Sequence, residues 1–365
     1  MSTGLDSALC KYNGLCYNLS IMKTYIVFDL EWNQSPQGKE NSIEELPFEI
    51  IEIGAVKLDE RFQMVAEYHR LISPQVYRQL HYKISEVTHM DMKELQKDGL
   101  DFKQVIEEFI AWCGDDYTFC TWGPMDLTEL QRNMSYYHVE IPFKKPLFYY
   151  DVQKLYALLH GDIKAKPSLD TAVGELDIKE ERPFHRALDD AYYTGKVMQR
   201  LDFVEAEPYL SVDYFRLPGD KAEEIYLEFP DYAKYVSRTF ENKEDALADK
   251  TVTDMLCRRC RRMLRKKVRW FSFNQKTYLC LAVCPEHGFV RGKIRMKKSD
   301  DGRVYVVKTM KLVDDDGAQS VYERKEELKK RRNEKHKIKR AIPRTALFPF
   351  ICPLRQAQYC TPGRP

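Results

Sequence analysis

Short apolar runs separated by polar turns predict alternating strands and helices in the N-terminal half of the chain. The first run, at 23–30, is rich in β-branched and aromatic side chains, which are typical of a buried strand. Two further runs, at 48–58 and 64–72, follow after short turns and predict an antiparallel start to a sheet. Beyond them, apolar positions at helical spacing alternate with short strands near 117–122 and 147–150. These elements predict an α/β fold.

The C-terminal part of the chain differs in charge. Residues 251–340 hold 27 Lys and Arg against 11 Asp and Glu, whereas residues 1–250 hold 28 against 45. This asymmetry predicts a basic module that contacts a polyanion, or one that packs on the acidic part in cis. No apolar run is long enough to cross a bilayer, and residues 1–21 lack a secretory signal. We therefore expect a cytoplasmic protein without a membrane partner.

These shifts of pattern divide the chain into six predicted segments. In order, they are a disordered stretch at 1–22, an α/β domain at 23–202, an acidic connector at 203–250, a small β module at 251–316, a basic helix at 317–340 and a disordered tail at 341–365. The expected architecture is thus one α/β domain followed by a smaller, basic, C-terminal β module.

Carboxylates stand where several of these elements begin or end. Asp29 and Glu31 close the first strand, and residues i and i+2 of a strand point to the same face. Asp126 lies near the start of a helix, and His185 and Asp190 flank the start of a later one. Carboxylates on one face repel each other unless cations lie between them, and Mg²⁺ prefers oxygen ligands. The set therefore predicts a site for divalent cations.

Two other aspartates compete for a place in this site. Asp189 directly precedes Asp190, and Asp151 ends the strand at 147–150. We interpret Asp189 as a charge in the first turn of its helix, where it interacts favourably with the helix dipole. We interpret Asp151 as the cap of the next helix.

The order Asp-x-Glu, Asp, His-x4-Asp resembles the three motifs of the DEDDh branch of the DnaQ-like 3′–5′ exonuclease superfamily, in particular the Eri-type exonucleases. The resemblance covers roughly 23–202. Four stretches carry it: FDLEWN at 28–33, FEIIEIGAVKLD at 48–59, WGPMDL at 122–127 and RPFHRALDDA at 182–191. The resemblance implies a ribonuclease H-like mixed sheet flanked by helices. It also implies hydrolysis of phosphodiester bonds from the 3′ end, which releases nucleoside monophosphates.

The resemblance further implies roles for single residues. Asp29 would bridge two Mg²⁺ or Mn²⁺ ions, which clamp the attacking and leaving oxygens. Glu31 and Asp190 would hold the ion that activates water, and Asp126 would support the second ion. His185 would be the general base, because an imidazole titrates near neutral pH.

Two residues beside the first carboxylates, Leu30 and Trp32, would line the site of the terminal nucleotide. Trp32 would stack on a base, a contact worth about 1–3 kcal/mol in single-strand binders, or it would be a core or rim aromatic. The Eri-type resemblance favours RNA over DNA slightly. Two other functions stay open: a non-catalytic nucleic-acid-binding adaptor, and a proofreading or accessory exonuclease subunit of a polymerase.

A second group of candidate ligands lies in the basic module. Cys257 and Cys260 form a CxxC pair, and Cys284 and His287 form a CxxH pair. Such pairs are typical of structural Zn²⁺, so we predict a zinc-ribbon-like module with one Zn²⁺. Cys280 is the alternative to His287 as the fourth ligand. Without a secretory signal, metal ligands in a reducing compartment are favoured over disulfides.

Basic and aromatic side chains surround these ligands. We expect the basic ones to contact phosphates of single-stranded nucleic acid, RNA or DNA, with little sequence choice, and the aromatic ones to form the core of the module. They are Arg258, Arg259, Arg261, Arg262, Arg265, Lys266, Lys267 and Arg269, with Trp270, Phe271, Phe273 and Tyr278.

Overall fold

A computed structural model describes residues 11–12, 15–16, 24–160 and 166–341. Its strands fall into two sheets. The strands are β1 (Lys11–Tyr12), β2 (Leu15–Cys16), β3 (Tyr25–Asn33), β4 (Glu49–Leu58), β5 (Met64–Leu71), β6 (Thr118–Thr121), β7 (Phe148–Asp151), β8 (Ser211–Val212), β9 (Ile225–Glu228), β10 (Tyr232–Val236), β11 (Arg265–Ser272), β12 (Thr277–Cys284), β13 (Gly288–Lys298) and β14 (Val304–Val313).

The helices surround the first sheet and flank parts of the second. They are α1 (Tyr82–Thr88), α2 (Met92–Asp98), α3 (Phe102–Cys113), α4 (Met125–Tyr136), α5 (Val152–Leu159), α6 (Leu169–Glu175), α7 (Ala187–Arg200), α8 (Phe203–Ala206), α9 (Lys243–Ala248), α10 (Lys250–Thr253) and α11 (Asp315–Ala341). Within the described part of the chain, no helix combines the length and the apolar character needed to cross a membrane.

The first sheet is mixed, in the order β5-β4-β3-β6-β7-β8. Strands β3, β4 and β5 pair antiparallel, as the short turns between them predict. Strands β3, β6 and β7 run parallel, so that their carboxyl ends meet at one edge of the sheet. In open α/β sheets, ligands bind outside the carboxyl ends of the strands.

Helices cover both faces of this sheet, because its central strands are apolar on both sides. One face packs against α3 and α4 through residues such as Ile106 and Leu130. The other face packs against α5, α6 and α7, with Tyr156 and Val197 in the buried cluster. The predicted mixed sheet flanked by helices is thereby confirmed.

The second sheet is larger than the small β module predicted from the sequence. It has eight strands in the order β11-β12-β13-β14-β10-β9-β1-β2. Two of them, β9 and β10, come from the stretch at 203–250, which the sequence pattern predicts to be an acidic connector. Their apolar residues, including Leu227 and Val236, pack beside β8 and join the two sheets. The Tyr and Pro residues scattered through this stretch interrupt its hydrophobic pattern, so the pattern does not predict these short strands. The domain boundaries themselves remain a prediction.

The predictions of disorder concern mostly residues outside the described ones. Of the stretch at 1–22, the structure describes only β1 and β2, which extend the second sheet beside β9 and so differ from the expectation. Of the tail at 341–365, only Ala341 is described, at the end of α11. This helix occupies the place of the basic helix predicted at 317–340.

Candidate active site

Three predicted carboxylates lie together at the carboxyl edge of the first sheet. Asp29 and Glu31 lie within β3, which continues to Asn33, on the side of the strand that faces α7, whose first turn carries Asp190. One carboxylate oxygen of each residue lies within 4.8 Å of those of the other two. The placement of β3 and the packing of α7 on it thus bring residues that are distant in the chain into one group. Hard divalent cations take ligands of this kind.

Asp126 is the fourth predicted carboxylate and lies beside this group without joining it. It sits in the first turn of α4, after the loop that follows β6, and is only 5% exposed. Its carboxylate accepts hydrogen bonds from its own backbone N–H and from that of Leu30. The backbone of β3 therefore fixes Asp126 next to Asp29.

Burial and mutual repulsion raise the pKa of all four carboxyls. For Asp29, burial is the larger cause and the nearby Asp126 the next. Burial, followed by the charge of Asp190, raises the pKa of Glu31 to about 8. Burial likewise raises the pKa of Asp126 to about 7 and that of Asp190 to about 6. An arrangement that resists carrying four negative charges favours a cation between them.

A further acidic residue, Glu52, supports this group and is not among the residues predicted from the sequence. It pairs with Glu31 across β3 and β4 and is fully buried. Burial alone would raise its pKa, but hydrogen bonds from His69 and Arg186 outweigh burial and lower it. The Arg186 guanidinium donates to Glu52 at 2.7 Å, and the N–H of Ala187 donates at 3.2 Å. Glu52 therefore anchors the start of α7.

Glu52 and its neighbour Gly54 show how closely α7 approaches the sheet. Gly54 pairs with Asp29 in the ladder between β3 and β4. A Cβ atom at this position would overlap the backbone of Ala187 and Leu188. Glycine at this position permits the close backbone approach where the helix that carries Asp190 crosses β4.

We expect Gly54→Ala to lower hydrolysis about a hundredfold, because the methyl group must displace α7 and Asp190 with it. The measurement is kcat on a single-stranded oligonucleotide, with circular dichroism as a check of folding. Gly174→Ala is the matched control: Gly174 lies in α6 with open space around it. Alanine there should leave hydrolysis unchanged and favour the helix. Full activity of Gly54→Ala would contradict the close approach.

His185 lies where the sequence places it, on the approach to α7, with an exposed side chain. Its backbone is left-handed, with φ of 69°, and its N–H donates to Asp190 at 3.3 Å. Left-handed conformations of non-glycine residues cluster at functional sites. The competing Asp189 faces Arg182 instead, at 3.7 Å. Asp151 caps α5 by accepting from the N–H of Lys154, which confirms its predicted structural role.

The side chains of Leu30 and Trp32 lie on the opposite face of β3 from the carboxylates. Leu30 is 3% exposed and packs in the cluster beneath α3 and α4, so its side chain cannot line a nucleotide site as predicted. The reason is the two-residue period of a strand, which sends residues 29 and 31 to one face and Leu30 to the other. Trp32 is half-buried against the same cluster, with its ring 5.7 Å from that of Phe48.

The second predicted ligand group is also brought together. Sγ of Cys260 lies 3.6 Å from Sγ of Cys284, and Nδ1 of His287 lies 3.5 Å from Cys284 and 3.6 Å from Cys257. Burial would raise the pKa of Cys284, but hydrogen bonds from the Glu286 backbone and His287 outweigh it and lower the pKa to about 6.

Cys280 is separate from these four ligands. It belongs to the core beneath β12, where burial raises the pKa of its thiol to about 12. His287 thus completes the group, which has the donor set of a structural zinc site.

One comparison with known proteins covers the part of the chain that carries the carboxylate group. A family model described as exonuclease, of the RNase T type, matches residues 26–198. A search of curated proteins finds no match to this chain. Among solved structures, the nuclease domain of 3′hExo, a DEDDh family member bound to rAMP, is 18% identical, with a TM-score of 0.44, over 53% of this chain and 98% of that one.

Two other solved structures are similar at comparable levels. Cell-death related nuclease 4 is 16% identical, with a TM-score of 0.44, over 52% of this chain and 67% of its own. Exonuclease I is 12% identical, with a TM-score of 0.43, over 71% of this chain and 55% of its own.

Proposed function

We propose that the chain is a two-metal 3′–5′ exonuclease of single-stranded nucleic acid, because the exonuclease family model matches residues 26–198. It removes nucleoside monophosphates from the 3′ end, with RNA favoured slightly over DNA. The observation that carries the proposal is the carboxylate group of Asp29, Glu31 and Asp190, whose oxygens lie within 4.8 Å of one another beside the buried Asp126.

These residues fit a pair of Mg²⁺ or Mn²⁺ ions. Asp29 would contact both ions, Glu31 and Asp190 would hold one, and Asp126 would support the other. When bound, the ions supply an activated water and neutralise charge on the phosphate. The raised pKa values of Glu31 and Asp190 mean that cations displace protons from the site, so that occupancy rises with pH.

His185 is proposed as the general base. The exposed imidazole of His185 lies on the loop that precedes α7. The backbone N–H of His185 donates a hydrogen bond to Asp190, which connects this loop to the carboxylate group. Glu52 and Arg186 hold the same loop from beneath. The exposed imidazole on this loop would take a proton from an attacking water.

A structural Zn²⁺ is proposed for the second site, held by Cys257, Cys260, Cys284 and His287. Tetrahedral zinc with Zn–S bonds of about 2.3 Å separates two sulfur ligands by about 3.8 Å. The 3.6 Å between Cys260 and Cys284 is close to this separation. Four protein ligands leave no open position, so the ion would stabilise the module and take no part in hydrolysis.

The function is tested with single-stranded RNA and DNA labelled at the 5′ end, in Mg²⁺ or Mn²⁺. We expect a ladder of products shortened by one nucleotide at a time, with RNA shortened faster than DNA, and no products in EDTA. Release of internal fragments would contradict a 3′–5′ exonuclease. So would shortening of strands with a blocked 3′ end that is faster than shortening of strands with a free 3′ end. Binding without hydrolysis would favour the adaptor hypothesis instead.

A further inference from the structure

One face of the second sheet carries a line of positively charged side chains. These residues alternate with apolar ones along the sequence, so they do not form a dense basic cluster there. Along β13, alternate residues are buried, and the intervening ones point to the opposite face. On this face, alternate side chains of one strand stand about 6.7 Å apart. The four consecutive outward positions form what we call the basic row: Arg291, Lys293, Arg295 and Lys297.

The cations of the basic row take no part in the salt bridges of the described residues, although the charge of Asp213 acts on Lys297. Within the ranges that the structure describes, none of the four forms an ion pair. On the neighbouring strands the residues opposite Lys293 are Leu279 and Thr309, and those opposite Arg295 are Thr277 and Val307. The row is therefore a surface of uncompensated charge on a largely neutral sheet face.

The basic residues near the zinc ligands are arranged differently. Arg261 pairs with Glu228 at 3.0 Å, and Arg262 pairs with Glu286 at 2.7 Å. Lys266 lies 3.7 Å from an acidic residue, and Arg258 donates to a backbone carbonyl at 2.7 Å. Half of the basic side chains that the sequence suggested for phosphate contact thus interact with other groups of the same chain. The basic row is the better candidate for an external polyanion.

One end of the basic row leads toward the candidate active site. Lys297 lies over the ring of Tyr214 at 4.7 Å, and both line a cleft together with Met125 and Thr128. Met125 directly precedes Asp126 in the first turn of α4, and 46% of its surface is exposed. The row therefore begins at the helix that carries one of the carboxylates.

The other end of the row lies beside α11. Arg291 and Lys293 line a cleft with Arg324 from this helix. Two acidic residues, Glu323 and Glu327, also line it, but Glu327 already accepts from Arg324 at 2.7 Å. The helix is a wall of the cleft, and its charges do not neutralise the row.

Crowding of like charges along the row is visible in its lysines. Burial, followed by the charges of Arg295 and Arg291, lowers the pKa of Lys293. Partial burial, followed by Arg295 and Lys234, lowers the pKa of Lys297. A linear anion laid along the row would relieve this repulsion.

We propose that the basic row is a track for the segment of single-stranded nucleic acid that lies 5′ of the cleaved nucleotide. The phosphates of this segment would contact the row in succession, while the 3′ end reaches the carboxylate group past Met125. This proposal rests on the proposed exonuclease function, and it assigns the binding of long substrates to the second sheet. Evenly spaced point charges suit a phosphate backbone and give little sequence choice.

The test is the double variant Arg295→Gln/Lys297→Gln, which alters two exposed side chains. In buffer without Mg²⁺ or Mn²⁺, and without a chelator that would remove the proposed Zn²⁺, its affinity for oligouridylate of about 20 nucleotides should fall about 10–100-fold. The slope of log K against log salt should shrink by about 1.4, since each phosphate contact of a single strand contributes about 0.7. In Mg²⁺, KM for this substrate should rise while kcat, and hydrolysis of triuridylate, stay unchanged.

The matched control is Lys243→Gln/Lys250→Gln, which removes the same charge from α9 and α10. These helices pack against the opposite face of the same sheet, and both lysines are exposed. Binding that falls equally in both variants, or a salt slope that does not change, would overturn the proposal, as would an equal loss of triuridylate hydrolysis. Stronger binding of a blunt duplex than of the single strand would overturn the choice of partner.

The two proposals fail in different ways. If the exonuclease function is wrong, wild-type protein hydrolyses neither substrate, while the binding measurement without Mg²⁺ or Mn²⁺ still reports on the basic row. If the track is wrong, triuridylate is still hydrolysed, and the two double variants bind the long substrate alike.

Discussion

Asp29→Asn is expected to lower the rate of hydrolysis at least about a thousandfold in Mg²⁺ or Mn²⁺. The charges of Asp126, Glu31 and Asp190 all raise the pKa of Asp29, after the larger effect of burial, so its carboxylate interacts with the other three. An amide has nearly the same shape but no negative charge, so it would remove the ligand proposed to contact both ions and leave the packing intact. The measurement is kcat on a single-stranded oligonucleotide.

The same substitution should make the metal-free protein more stable at pH 8. The pKa of Glu31 rises from 4.5 to about 8 in the folded chain, and that of Asp29 also rises. The folded protein therefore holds protons that the unfolded chain has already released, and its stability in EDTA falls as the pH rises from about 4 to about 8. The neutral amide of the Asp29→Asn variant removes one charge from this repulsion, so the fall should be smaller in the variant.

Asp151→Asn is the matched control for Asp29→Asn. Asp151 ends β7 at the same edge of the sheet, but it caps α5, and asparagine caps helices equally well. Its hydrolysis should match that of the wild type. Two results would contradict the assigned site: hydrolysis by Asp29→Asn within about tenfold of wild type, or a loss of stability in EDTA at pH 8.

Most of the carboxylate site could be predicted because its residues lie at ends of regular elements. Asp29 and Glu31 follow the apolar run of a strand that continues to Asn33, and the i, i+2 spacing alone places them on one face. The same spacing excludes the side chain of Leu30 from that face, and a stricter use of it would have corrected the prediction. Glu52 was harder to identify, although a glutamate flanked by isoleucines in a buried strand is a signal of its own.

The second sheet could not be predicted in the same way, because its strands come from separate parts of the chain. β9 and β10 are short and lie in an acidic stretch, so neither composition nor periodicity connects them to β14. The alternation of cations and apolar residues along β13 was readable, but its meaning depends on what covers each face. Charge density alone pointed to the arginines beside the zinc ligands, several of which have partners within the chain.

Cys284→Ser is expected to remove zinc from the protein and to loosen the second sheet near the ligands. Cys284 ends β12, and its sulfur contacts both Cys260 and His287. Structural zinc contributes an apparent 10–16 kcal/mol in small zinc domains, about as much as the whole stability of a typical domain. Here Cys257 and Cys284 also belong to the buried cluster with Val290 and Met310, so loss of the ion should open a local core.

Two measurements follow the effect of Cys284→Ser. Elemental analysis should find one zinc per wild-type chain and none in the variant. Hydrogen exchange should become faster in β11 and β12, which lie beside the ligands, and remain slow in β3 and β6 of the first sheet. Hydrolysis of triuridylate should persist, because the carboxylate group lies on the other sheet, while hydrolysis of long oligouridylate weakens with the surface that holds it.

Cys280→Ala separates the role of a ligand from that of a buried cysteine. Cys280 lies in the same cluster and the same strand as Cys284, but its thiol is buried and protonated. The variant should keep one zinc per chain and lose only the packing of a sulfur atom, about 1 kcal/mol. Loss of zinc in Cys280→Ala and its retention in His287→Ala would make Cys280 the fourth ligand in place of His287. Zinc that is absent from the wild type as well would leave the four residues without a metal and contradict the proposed site.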